Sequence, residues 1–99
     1  MTVRKKLEAN ELRETIFARD GWTCQVCGGP ARAHGTPQLA HKISKSKMNL
    51  RKYGEAIINH PLNLVTVCDL ECNDAVNIGF NPEKVKDLLR QIENSYIRT

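Results

Sequence analysis

The run Cys24-Gln25-Val26-Cys27-Gly28-Gly29 and, 40 residues further on, Cys68-Asp69-Leu70-Glu71-Cys72 together hold all 4 cysteines of the chain. A two-residue spacer followed by glycine lets the first two sulfurs face one point while the backbone turns sharply. The second pair has a three-residue spacer, which zinc tolerates. Two such pairs brought together offer four thiolates, a common tetrahedral ligand set for structural zinc. The alternatives are disulfides or unpaired buried thiols. The pairing and the glycines after Cys27 favour metal, so a structural zinc ion on Cys24, Cys27, Cys68 and Cys72 is expected.

Size gives such a staple a purpose. The 99 residues suit one domain. A chain this short buries only ~60 % of its surface, so its core is modest. Hydrophobic residues make up 40 % and aromatics 5 %, and a domain with so little to bury benefits from a metal or a crosslink. No apolar run reaches the ~18–20 residues of a membrane span. The basic start, Met1-Thr2-Val3-Arg4-Lys5-Lys6, is not followed by the apolar segment of a secretory signal. A cytoplasmic, reducing setting is expected, with no membrane partner, and there paired cysteines more often bind metal. The net charge of +4 and sequence pI near 9.0 permit a polyanionic partner without requiring one.

Outward from the cysteines, residues 1–9 read as a flexible basic lead-in and 10–99 as a single domain. Asn10 is a candidate N-cap for a helix with Leu12, Ile16 and Phe17 on one face, closed at Asp20-Gly21. Trp22 is expected to anchor the core. Residues 28–37, with three glycines and two prolines, form a turn-rich loop in which His34 is exposed. Pro37–Ile43 suits a short strand with Leu39, His41 and Ile43 on one face. Between 42 and 52 lie Lys42, Lys45, Lys47, Arg51 and Lys52 with no acidic residue; this densest same-sign cluster is a candidate phosphate-contacting surface. Met48, Leu50, Tyr53 and Ile57 suggest helix, interrupted near Gly54. His60-Pro61-Leu62-Asn63 turns into a strand, Leu64-Val65-Thr66-Val67. A helix then opens at Cys72 and runs through Ile78 to Gly79. Asn81-Pro82 starts the last helix, which repeats Val85, Leu88, Leu89, Ile92 and Tyr96 at intervals of three and four.

One further pattern spans Phe17 to Ile78, roughly two-thirds of the chain. It comprises Ala18-Arg19-Asp20-Gly21-Trp22-Thr23-Cys24-Gln25-Val26-Cys27-Gly28, then Ala40-His41-Lys42-Ile43, then Asn63-Leu64-Val65-Thr66-Val67-Cys68, and Cys72-Asn73. In order, residue type and interval this resembles the HNH family of nucleases. The resemblance implies an α+β fold, a small zinc-stabilised, treble-clef-like ββα-metal domain, here with flanking N- and C-terminal helices. It implies that His41 is the general base that deprotonates the attacking water, and that Asn63 fixes the loop and orients His41. It implies that Asn73 is a ligand of a catalytic divalent ion, Mg²⁺ or similar. Such chemistry suits phosphodiester hydrolysis, because histidine titrates near neutral pH and hard ions favour oxygen ligands.

The family usually carries Asp, Glu or His as a metal ligand immediately before the base histidine. Here that residue is Ala40. Asn77, one helical turn beyond Asn73, is the first candidate to compensate; Asp74, His60 and His34 are others. Ser44 also departs from a place where proline is frequent. The resulting expectation is a metal-dependent endonuclease acting on DNA. The alternative is a catalytically impaired, zinc-containing module that binds nucleic acid, and a structural or protein-interaction domain is a third possibility.

Overall fold

Helix α1 spans Thr2–Arg19, strand β1 Gln38–His41, α2 Lys47–Tyr53 and α3 Glu55–Ile58. A 3₁₀ turn at Pro61–Asn63 leads into β2, Leu64–Val67, followed by α4, Leu70–Val76, and α5, Pro82–Ile97. The computed structural model describes residues 2–97, with side chains from 11 to 96; Met1, Arg98 and Thr99, at the ends of the two expected segments, lie outside the described residues. β1 and β2 form a two-stranded antiparallel sheet in which Ala40 faces Val65 and His41 faces Leu64. The β-branched run of β2 forms a strand over the expected residues, and α4 follows it to pack across β1. The molecule is therefore a small α+β protein built on two strands and surrounding helices.

Two apolar clusters form the core. Beside the cysteines, Cys24, Ala40, Val67 and Cys68 are buried with Val65, Cys72 and Val76 against them. In the second, Ile43 and Ile58 meet Leu88 and Ile92 of α5, with Leu50, Tyr53, Leu62 and Ile78 packed around. The end of α1 is bolted to β2. The Arg19 guanidinium donates to the carbonyls of Pro61 (2.8 Å) and Leu64 (2.7 Å), while Asp20 Oδ2 accepts from the Thr66 N–H at 2.9 Å. Ion pairing to Arg19 and the Thr66 hydrogen bond outweigh the opposing effect of burial and hold the Asp20 carboxyl below its ordinary pKa. α5 begins as expected, with Asn81 Oδ1 accepting from the Lys84 N–H at 3.1 Å.

Several expectations need correction. α1 starts at Thr2, so residues 2–9 belong to a helix and Asn10 lies inside it; Lys5-Lys6-Leu7-Glu8-Ala9 is a run of strong helix formers that continues the helix past the candidate cap. Trp22 is not a buried anchor. It sits in the turn at φ 54° and remains 39 % exposed. Its ring lies 5.4 Å from that of Phe17 and carries the Arg32 guanidinium 4.5 Å from its centroid, so it covers Phe17 from outside. α4 starts two residues before Cys72 and ends at Val76, short of Gly79, because Asp69 caps it and Asn77 has left helical geometry. Tyr96 is exposed on α5, at the edge of the apolar stripe. The strand at His41 ends before Ile43, which turns into the α5-side cluster and no longer shares the face of Leu39.

Candidate metal centre and adjoining cleft

The two cysteine pairs meet where the first turn, the end of β2 and the start of α4 converge. The first turn is shaped by backbone bonds from Cys24 N–H to Gly29 O (2.8 Å) and Gly28 N–H to Cys24 O (3.0 Å). Gly28 adopts φ 79°, which other residues disfavour. The Gln25 N–H reaches across to Thr66 O at 2.9 Å and fixes the turn against β2. On the other side, Asp69 Oδ1 accepts from the Cys72 N–H at 2.8 Å and sets the first turn of α4.

All four sulfurs lie within 4.8 Å of one another. Cys27 Sγ is 3.6 Å from Cys68 Sγ, which is 3.8 Å from Cys72 Sγ. Zinc–sulfur bonds of about 2.3 Å in a tetrahedron require edges of about 3.8 Å. The cluster thus has the donor set and spacing for a zinc-like ion. The thiol energetics agree. Burial raises the Cys24 pKa, but the N–H groups of Cys27, Val26 and Cys68 more than offset it and bring the thiol down to about 6. Burial and the neighbouring Cys27 and Cys24 push Cys68 up to about 11, and burial with Asp69 and Cys24 drives Cys72 higher still. The Cys24 thiolate forms readily while Cys68 and Cys72 resist ionising beside it, a conflict that a bound cation would remove.

Beside this centre, His41, Leu39, Ser44, Lys45, Asn73, Asp74 and Asn77 line a polar cleft of about 200 Å³. Strand alternation sends Leu39 and His41 into the cleft and turns Ala40 the other way, fully buried among Cys24, Val67 and Cys68. His41 Nε2 is 3.4 Å from Asn59 Oδ1. In the tautomer with Nε2 protonated, the ring donates to that oxygen and Nδ1 keeps its lone pair. Burial lowers the His41 pKa below its ordinary value; Asn59 opposes that and the charge of Lys45 adds to it. Burial and Lys45 thus favour the neutral imidazole.

Asn63 is fully buried outside the cleft. Its Nδ2 donates to the carbonyls of Ile43 (3.1 Å) and Ile58 (2.8 Å), and its Oδ1 accepts from the Ile43 N–H at 2.8 Å. Its own carbonyl accepts from the Lys42 N–H at 2.8 Å. Asn63 thus clamps the chain just beyond His41, as a loop-fixing residue should, but the side chain that touches the imidazole is Asn59. Nothing in the sequence singles out Asn59, because the bond joins positions 18 residues apart that only the fold brings together. Asn73 Nδ2 donates to Gln38 Oε1 at 3.3 Å, and among the described residues its oxygen has no hydrogen-bond partner. Asn77 Oδ1 accepts from the Gly79 N–H at 2.7 Å.

Two candidate compensating histidines lie elsewhere. His60 Nδ1 accepts from the Leu62 N–H and Nε2 meets Ser95 Oγ at 3.1 Å. His34 faces Asp69 near the cysteines at 3.8 Å. The basic cluster divides. Lys45 borders the His41 cleft, and Lys47 and Arg51 are exposed on α2. Lys42 lines a separate cavity of about 400 Å³ with Val65, Val76 and Leu88, and the Lys52 ammonium rests 5.3 Å from the Tyr53 ring centroid.

Fold and site together define a small α+β protein with a four-cysteine centre suited to a zinc-like metal and a polar, histidine-bearing cleft beside it. The chain matches no protein-family model, no curated protein and no solved structure. Among the described residues no helix is long and apolar enough to cross a membrane.

Proposed function

We propose that the chain is an HNH-type, treble-clef-like nuclease domain that hydrolyses phosphodiester bonds of nucleic acid, with DNA as the substrate. The observation that supports this most is the position of His41. The imidazole, whose neutral form burial favours, lines a polar cleft with the carboxamides of Asn73 and Asn77, and α4 also carries Cys72 of the cysteine cluster. The motif order Cys-Cys, His41, Asn63, Cys-Cys-Asn73 supports the same reading.

In this proposal His41 Nδ1 takes a proton from water as the water oxygen attacks phosphorus. The phosphorus–oxygen bond to the leaving group breaks, and the leaving oxygen takes a proton from solvent. A divalent ion such as Mg²⁺, when bound, supplies Lewis-acid stabilisation of the leaving oxygen. Asn73 on α4 and Asn77 just beyond it are the cleft carboxamides that would hold it. Asn59 holds the base in the productive tautomer, and Asn63 holds the backbone on which the base stands. Lys45 lines the cleft, and Lys47 and Arg51 stand exposed on α2, as phosphate contacts; Lys42 and Lys52 line other cavities and contribute less.

A second function has an observation of its own. Position 40 is apolar and buried, so the usual acidic ligand is missing while the basic residues remain. A non-catalytic module that binds nucleic acid would keep that charge and lack turnover. Incubation of the zinc-loaded protein with supercoiled plasmid and Mg²⁺ or Mn²⁺ separates the two. Nicking that disappears in His41→Ala supports hydrolysis. Salt-sensitive binding without nicking, weakened in Lys45→Ala and Lys47→Ala, supports the binding module.

A further inference from the structure

We propose that Asp74 supplies the anionic ligand of the divalent-ion site in the His41 cleft, from helix α4 instead of from strand β1. The proposal rests on the nuclease reading of that cleft but concerns the ion site itself.

Three observations lead to it. First, position 40 cannot serve. Its side chain is turned away from His41 by strand alternation and sits at 0 % exposure in the cysteine-side cluster. A carboxylate placed there would lie among Cys24, Val67 and Cys68, not in the cleft. Second, Asp74 is the one carboxylate among the residues that line the cleft. Lys45 and His41 are its other ionisable members, and His34 and His60 are held elsewhere by Asp69, Leu62 and Ser95. Third, Asp74 lines the cleft together with two carboxamides, Asn73 on α4 and Asn77 at the cap that follows it. Among the described residues the Asn73 oxygen has no hydrogen-bond partner, and the single hydrogen bond from Gly79 leaves the Asn77 oxygen a second lone pair.

One carboxylate with two carbonyl-type oxygens and room for water is a donor set for a hard divalent cation such as Mg²⁺ or Mn²⁺. Two neutral carboxamides alone would hold such an ion poorly. With only one negative ligand, and with the Lys45 ammonium on the same cleft, the site is a weak one that fills at millimolar ion and gains from the phosphate of a substrate. The base and the ion would then be presented by different elements, His41 by β1 and Asp74 by α4, across about 200 Å³ of cleft.

Mn²⁺ binding to the zinc-loaded protein, read from the loss of the free-ion EPR signal, tests this without any activity. Wild type is expected to take one Mn²⁺ per chain beyond the zinc. Asp74→Asn, which keeps the size and the helix, is expected to weaken that binding about tenfold or more. His41→Ala is expected to retain it. Asp87→Asn removes an equal charge beside the other cavity and is expected to leave binding unchanged. Equal binding in wild type and Asp74→Asn, or no binding beyond the zinc at millimolar Mn²⁺, overturns the proposal. Plasmid nicking run in parallel separates the two claims. Asp74-dependent Mn²⁺ binding with no nicking keeps the ion site and removes the nuclease. Nicking undiminished in Asp74→Asn keeps the nuclease and removes Asp74 from it.

Discussion

Asn63 satisfies three backbone groups of Ile43 and Ile58 inside the protein, where no water can replace it. Asn63→Ala would leave those groups without partners, and a cost of about 2–4 kcal/mol in chemical denaturation is expected. Because the clamp holds the chain after His41, the same variant should also lose function in its folded fraction. At His41 itself, burial sets the pH dependence. The folded pKa lies below the ordinary value of 6.5, so the unfolded chain takes the proton first as pH falls. Stability contributed by neutral His41 is therefore present above pH 6.5 and declines as pH drops from 6.5 toward the folded pKa. An NMR titration should place the His41 midpoint below 6.5, and the acid limb of any nicking activity should follow the same midpoint; a midpoint at or above 6.5 would contradict the burial argument. Ala40 is the residue where sequence and structure part most usefully. Its identity is legible as a departure from a nuclease pattern, but the direction of its side chain is not, since that depends on which face of β1 the cysteine cluster covers. Ala40→Asp should accordingly lower the midpoint of thermal unfolding and leave Mn²⁺ binding as it was, because it buries a charge away from the cleft.

Among the elements, β2 and α5 were the most readable, and for a physical reason. Four residues of β2 are β-branched or aliphatic, and α5 repeats its apolar residues at helical spacing behind an Asn-Pro start. The buried members of that repeat should carry its energy. Ile92 is 1 % exposed and packs with Ile43, Ile58 and Leu88, whereas Tyr96 is 58 % exposed. Ile92→Ala is expected to cost about 2–4 kcal/mol, and Tyr96→Ala much less, in urea unfolding. Equal effects would mean that α5 docks differently. Helix ends were harder to read because they depend on which polar side chain captures a free N–H. Asp69 does so for α4 and moves its start ahead of Cys72, while Asn10, a plausible cap in sequence, is overridden by the helix formers before it. The exposure of Trp22 has a related origin. A turn residue at positive φ projects its ring along the surface, where Arg32 covers it, however hydrophobic the ring.

Across the whole molecule, two small apolar clusters and a two-stranded sheet are little to hold 99 residues. The cysteine centre ties the first turn, β2 and α4 to one point, and the cleft lies between β1 and that same α4. Structural zinc in small domains contributes about 10–16 kcal/mol of apparent binding free energy at neutral pH, more than a core of this size supplies alone. The metal is therefore expected to be a condition of the fold, and the His41 cleft a consequence of it. The most direct test is zinc content and far-UV circular dichroism on the same sample, before and after a strong chelator. The expected result is about one zinc per chain, with loss of the helical signal when the metal is removed and its return when zinc is restored. A spectrum unchanged on protein shown to have lost its metal would contradict the account.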